Sequence, residues 1–88
     1  MNFLFYEDWY KKRVSKIINI FGQDWFAGKN ILELGACYGD IGIELTKLGA
    51  EVTFADAREE NLDVIKNKFK IYNYSPNLLL LNQEENMI

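Results

Sequence analysis

Residues 31–42 read ILELGACYGDIG. The stretch starts as an apolar run, Ile31 to Leu34, carrying one acid, Glu33, and then breaks into glycines at Gly35, Gly39 and Gly42. Short apolar runs bounded by turn residues read as buried strands. A carboxylate near the end of such a strand is costly unless it meets a partner. Glycines directly after it remove side chains, so the backbone there can approach a ligand or take positive φ. The stretch therefore reads as strand, tight turn and helix start, with the helix beginning at about Asp40.

Periodicity extends this pattern in both directions. Upstream, Val14, Ile17, Ile18 and Phe21 fall at i, i+3, i+4 and i+7, which predicts an amphipathic helix over 6–21 ending at Gly22. Residues 28–30 read as a turn and 31–34 as the first strand. Ile41, Leu45 and Leu48 mark one face of a second helix, with Gly49 as its stop. Residues 51–55, EVTFA, read as a second strand. Leu62, Ile65 and Phe69 mark a third helix whose first turn carries Glu59 and Glu60. A turn over 74–77 leads to a third strand, LLLL, over 78–81, and a polar end, NQEENMI.

The order α-β-α-β-α-β predicts an α/β, Rossmann-like parallel sheet with flanking helices, limited to about three strands and covered on both faces. Right-handed crossovers place strand 2 beside strand 1 and strand 3 beyond it. One edge of strand 1 is then bare, which is a pairing hazard. The expectation is the front part of a longer protein, or a chain that pairs with a second copy across that edge. Residues 1–88 are read as a single domain, with 1–29 as a leading helical segment.

The totals narrow the chemistry. Eighty-eight residues suffice for one small domain, and 49% hydrophobic with 15% aromatic content suffices for a packed core. The net charge of -3 argues against a nucleic-acid platform, which needs clustered Lys and Arg. Lys11, Lys12, Arg13 and Lys16 read as a solvated helix face. With no His and one Cys, neither a zinc site nor His-based acid–base catalysis is expected from this chain, and no metal is assigned. The absence of a long apolar run or a secretion signal leads to the expectation of a cytoplasmic protein without membrane attachment.

In a parallel sheet, ligands sit outside the carboxyl ends of the strands where strand order reverses, which is the mouth of the 35–42 turn. Glu33 there suits a cationic group. The amides at the start of the second helix suit an anion. Asp56, ending strand 2, can accept hydrogen bonds from ribose hydroxyls. A ligand with an amino acid at one end and a nucleoside at the other fits all three, and S-adenosylmethionine is such a molecule. Each acid also has a structural reading: Glu33 as a cap for the turn's own amides, Asp56 as a cap for the third helix.

Residues 31–56, ILELGACYGDIGIELTKLGAEVTFAD, resemble the first motif and second strand of class I S-adenosylmethionine-dependent methyltransferases. Glu33, Gly35 and Gly39 match that family's acid-and-glycine pattern, and Asp56 matches its ribose-holding acid. Cys37 stands where the family has its middle glycine. The resemblance implies a cofactor site of Glu33, Gly35, Ala36, Cys37, Tyr38, Gly39 and Asp56. It adds Ala57 and Arg58 beside the adenine and one residue just after strand 3, among Asn82, Gln83 and Glu84. Tyr38 reads equally as a cover for the ligand or as packing. Tyr6, Trp9 and Tyr10 read mainly as core or helix-docking residues. The family's acceptor-binding residues come from later strands, so no catalytic residue is assigned and the methyl acceptor stays unidentified.

Two other readings remain open. One is a nicotinamide or flavin dinucleotide-binding unit, against which the G-x-G-x-x-G fingerprint fails at Cys37 and Asp40 and Glu33 repels a pyrophosphate. The other is a non-catalytic methyltransferase-like module for binding or assembly, which Cys37 and the short chain favour.

Overall fold

The computed structural model describes residues 3–81, with side chains from Asp8 onward; Tyr6 and the candidates Asn82, Gln83 and Glu84 lie outside what it describes. Helix α1, Phe3–Phe21, leads through a 3₁₀ turn, Gln23–Phe26, into strand β1, Asn30–Leu34. Helix α2, Asp40–Lys47, strand β2, Glu51–Asp56, helix α3, Glu59–Lys70, and strand β3, Asn77–Leu80, follow. All three strands are parallel in the order β1-β2-β3, so β1 is an edge of the sheet. This is the α/β, Rossmann-like order that the periodicity predicts.

Helix ends differ from expectation by small amounts. Helix α1 starts at Phe3 rather than at residue 6, and β3 spans 77–80 rather than 78–81. The Leu81 amide still donates to the Asp56 carbonyl at 2.9 Å, continuing the β2–β3 ladder. The 3₁₀ turn has no counterpart in the periodic pattern, because four residues are too few to show a period. It delivers Phe26 into the core, where it is almost fully buried. Phe21, expected on the buried stripe of α1, instead stacks on Trp25 at 4.6 Å and stays half-exposed.

Alternation assigns the faces of the sheet. Ile31, Val52, Phe54 and Leu78 share one face and pack with Ile43, Leu45, Leu62, Ile65 and Phe69 of α2 and α3. Val14 of α1 is buried, and Ile17 and Ile18 lie partly buried against this cluster. Leu32, Leu34 and Leu79 lie on the opposite face, with Leu32 55% and Leu34 67% exposed.

The expectation of cover on both faces is thus corrected. Both crossovers step the same way across the sheet. With one handedness, that places both connecting helices on one side. The apolar run in β1 suits a strand buried on both faces, but within the described residues only one face receives helices.

Candidate functional site

Leu34 and Asp56 end β1 and β2, so both strands open on the same edge of the sheet. The Ala36 amide donates to the Ala55 carbonyl at 3.0 Å, which carries the ladder one step past β1. The chain then turns. Gly35 has φ 65° and faces open space, Cys37 has φ 56°, and Gly39 has φ 78°. Cys37 is therefore a non-glycine residue in the left-handed region, and a side chain there costs roughly 1–2 kcal/mol of backbone strain. The turn keeps a glycine's conformation at a position where the side chain is a thiol.

Gly39 serves packing as well as the turn. A Cβ on it would lie 2.7 Å from Ile65 Cγ1, so α3 seats directly against the turn. Gly42 has a related role in α2. A Cβ there would lie 2.6 Å from Glu33 Oε2 and collide with the Phe54 ring. Its lack of a side chain lets α2 close over Glu33, a partner that the sequence pattern does not name.

That closure shapes the state of Glu33. Its Oε2 is buried with no hydrogen-bond partner. Its pKa is pushed up to about 7, chiefly by burial, with the nearby Gly42 amide opposing and the Asp40 charge reinforcing the rise. Of the turn's amides, that of Gly42 lies close enough to Glu33 to favour its charged form, while Oε2 stays without a partner.

Asp56 is the reverse case. It is 7% exposed and fully engaged. Oδ1 accepts from the Arg58 amide at 2.8 Å and the Asn61 side chain at 3.2 Å. Oδ2 accepts from the Cys37 amide at 3.0 Å. Burial alone would raise its pKa, but the Arg58 and Cys37 amides, the Asn61 side chain and the Arg58 charge outweigh it, and the net shift is downward. Asp56 thus bonds the chain just ahead of α3 and ties β2 to the glycine turn. The reading of Asp56 as the cap of the third helix is not met, because the N-cap is Arg58 and makes no side-chain cap bond. A carboxylate has about four acceptor positions, so with three in use about one remains for a ligand hydroxyl.

A second tie crosses the turn. Lys68 Nζ of α3 donates to the Tyr38 carbonyl at 2.8 Å and to Asp40 Oδ1 at 3.0 Å. Ala57 and Arg58 follow β2 with exposed side chains beside Asp56. Beside the turn lies a recess of about 180 Å³, walled by Glu33, Leu34, Gly35, Ala36, Cys37 and Ile41 and, from α1, by Trp9 and Arg13. Trp9 and Arg13 are on it only because α1 folds back over the turn. The larger hollows, about 560 Å³ beside the end of α3 and about 810 Å³ along α1, are shallow and lie away from the strand ends. Among the described residues no cluster of three metal-ligating side chains occurs. No described helix is long and apolar enough to cross a membrane.

No protein-family model matches the sequence, and no curated protein matches it. Solved structures do. An S-adenosylmethionine-dependent methyltransferase from Clostridium acetobutylicum ATCC 824 superposes with a TM-score of 0.70 at 23% identity, over 90% of this chain and 32% of its own. Magnesium protoporphyrin IX methyltransferase (ChlM) from Synechocystis PCC 6803, with bound SAH, superposes with a TM-score of 0.69 at 18% identity, over 94% of this chain and 40% of its own. WbdD superposes with a TM-score of 0.70 at 20% identity, over 84% of this chain and 18% of its own. At these identities the likeness establishes the fold, which is that of class I S-adenosylmethionine-dependent methyltransferases. The chain spans two fifths or less of the length of these three neighbours.

Proposed function

We propose that this chain is the cofactor-binding portion of an S-adenosylmethionine-dependent methyltransferase, the acceptor being unidentified. One observation carries the reading. The glycine turn lies between two acids at the carboxyl edge of the sheet, and one of them, Glu33, has a buried oxygen with no partner. A ligand ammonium would satisfy that oxygen. The fold supports the same ligand class.

When bound, the sulfonium supplies an electrophilic methyl group. This chain's residues bind and orient its carrier. Glu33 receives the ammonium. The turn at Gly35 leaves the backbone open to the ligand. Asp56, through its remaining acceptor position, takes a ribose hydroxyl, and Ala57 and Arg58 border the adenine. Methyl transfer depends mainly on alignment of donor and nucleophile. The residues described here hold the donor side.

Calorimetric titration with S-adenosylmethionine, S-adenosylhomocysteine and NAD tests the reading. The first two should bind and NAD should not. An S-adenosylhomocysteine analogue lacking both ribose hydroxyls should bind about tenfold more weakly, as expected for loss of a hydrogen bond to a charged group. Binding of NAD alone, or of none of the three, would overturn the proposal. The analogue is preferable to Asp56→Ala here, because that variant also releases the Cys37 amide.

A second reading, a non-catalytic binding or assembly module, draws on Cys37. Its side chain occupies the strained position where the family pattern has glycine. In either reading the bare edge of β1 receives a further strand, and the face with the leucines at 32, 34 and 79 a covering layer, from the same polypeptide or a second copy. Light scattering separates a monomer from a defined dimer. A monomer that neither binds an apolar dye nor aggregates would refute a pairing role for this face.

A further inference from the structure

One lysine of α3 reaches across to the glycine turn. Lys68 Nζ donates to the Tyr38 carbonyl at 2.8 Å and to Asp40 Oδ1 at 3.0 Å. It also lies 5.7 Å from the centre of the Tyr38 ring. The ion pairs Lys12–Asp8 and Lys47–Glu44 are of another kind: each joins neighbours on one helix, and both are more exposed. Lys68 and Asp40 are 28 positions apart, with side chains 34% and 22% exposed. A pair of low exposure between distant segments is less screened than a surface pair within one helix.

The charge of Asp40 bears on a second carboxylate. Asp40 opens α2, two residues before Gly42, whose missing side chain lets Glu33 Oε2 come near. Its charge adds to the upward push on the Glu33 pKa that burial begins. A cation fixed on Asp40 offsets that charge. The other groups around Glu33 are few. Arg13 of α1 and Cys37 of the turn share the recess with it. Strand β2 sets Phe54 opposite it, with Asp56 two positions further on. From α3, Lys68 is the charge that bonds to this turn.

We propose that Lys68 is a positioning residue for the recess: by holding Asp40 and the Tyr38 carbonyl, it offsets the acid beside Glu33 and so favours capture of a cation there. The effect on the charge of Glu33 stands by itself, and its consequence for a bound ligand rests on the cofactor reading above. A purely structural tie would steady the turn and leave the titration of Glu33 where it is.

Carbon-13 NMR titration of the Glu33 carboxyl reads the effect with no ligand present. In Lys68→Met the midpoint should rise by about half a pH unit, the scale of one charge acting through partly screened surroundings. Asp40→Asn should lower it by a similar amount. Lys68→Arg keeps the charge and should stay within about 0.2 unit of wild type. Adding Lys68→Met to Asp40→Asn should move the midpoint by less than about 0.2 unit, because the route through Asp40 is gone. Calorimetry gives a second reading. Lys68→Met should bind S-adenosylhomocysteine about twofold more weakly at pH 7, as a half-unit shift implies, and equally well at pH 9. An unchanged Glu33 midpoint in Lys68→Met would overturn the proposal, as would a shift that persists in full alongside Asp40→Asn. So would an equal loss of affinity at both pH values, which marks a structural effect on the turn. If the wild-type chain does not bind S-adenosylhomocysteine, the cofactor reading falls, and the ligand-free titration still decides for or against Lys68.

Discussion

The ends of β1 and β2 lie side by side, and each presents one carboxylate to the same edge, yet their environments are opposite. Asp56 accepts three hydrogen bonds and is held ionised. Glu33 is covered by α2, keeps a buried oxygen without a partner, and is pushed towards its neutral form. The difference follows from what each strand runs into. Strand β2 ends where a helix start and a turn both point amides at one side chain. Strand β1 ends at a glycine turn after which α2 closes over the acid and leaves one of its oxygens without a partner. A satisfied acid stabilises the fold, whereas an unsatisfied one is a cost that a ligand can relieve. Holding the turn falls mainly to Asp56, and the proposed recognition of a ligand ammonium falls to Glu33.

The largest expected effect comes from removing the satisfied acid. Asp56→Ala strands the Arg58 and Cys37 amides and should cost about 2–4 kcal/mol in denaturant unfolding, since bonds to a charged group contribute about 1.5–3 kcal/mol each and do not add fully. A loss under about 0.5 kcal/mol would remove Asp56 from its place as the tie between β2 and the turn. Its depressed pKa sets the pH window. The stabilisation is present above the ordinary carboxylate range and is lost as pH falls through the lowered folded-state pKa.

Glu33 should behave with the opposite sign. Its folded-state pKa is raised from 4.5 to about 7, so the folded state holds a proton that the unfolded chain releases. Stability from this group is therefore full below about pH 4.5 and declines as pH rises towards 7. Glu33→Gln should stabilise the chain at pH 8 by about 1–2 kcal/mol after allowance for solvent screening. At pH 5 it should be close to neutral. Equal effects at both pH values would show that Glu33 is not desolvated.

The same proton should appear in binding. An ammonium requires the ionised form of Glu33, so S-adenosylhomocysteine affinity should fall up to tenfold, about 1.4 kcal/mol, per pH unit below 7 and level off above it. Glu33→Gln should flatten that profile. A profile equally steep in the variant would move the titration to another group.

The smallest effect belongs to the turn between the two acids. Cys37→Gly relieves the positive φ and should gain about 1 kcal/mol in denaturant unfolding. A loss would mean that the thiol's packing outweighs the strain.

Much of this was legible along the chain. Ile41, Leu45 and Leu48 announced α2, and Leu62, Ile65 and Phe69 announced α3, because a helix repeats its buried positions every three or four residues. The positions of Glu33 and Asp56 at strand ends followed from the runs they close. The 3₁₀ turn did not, since four residues carry no period, and neither did the burial of Phe26. Gly42 could have been noticed as a glycine inside a helical pattern, which signals a close approach, but the pattern does not say to what. Lys68 meets Tyr38 and Asp40 across 30 and 28 positions of sequence, beyond any local rule.

The sequence by itself determined the order of elements, their parallel arrangement and the edge to which the two acids go. These depend on local periodicity and on the handedness of the chain, which every residue carries. The tertiary structure alone decided which acid is satisfied and how closely α1 and α2 approach the turn. Those depend on distances between segments far apart in sequence, and a change of a few ångströms in the approach of α1 or α2 would exchange an orphaned carboxylate for a bonded one.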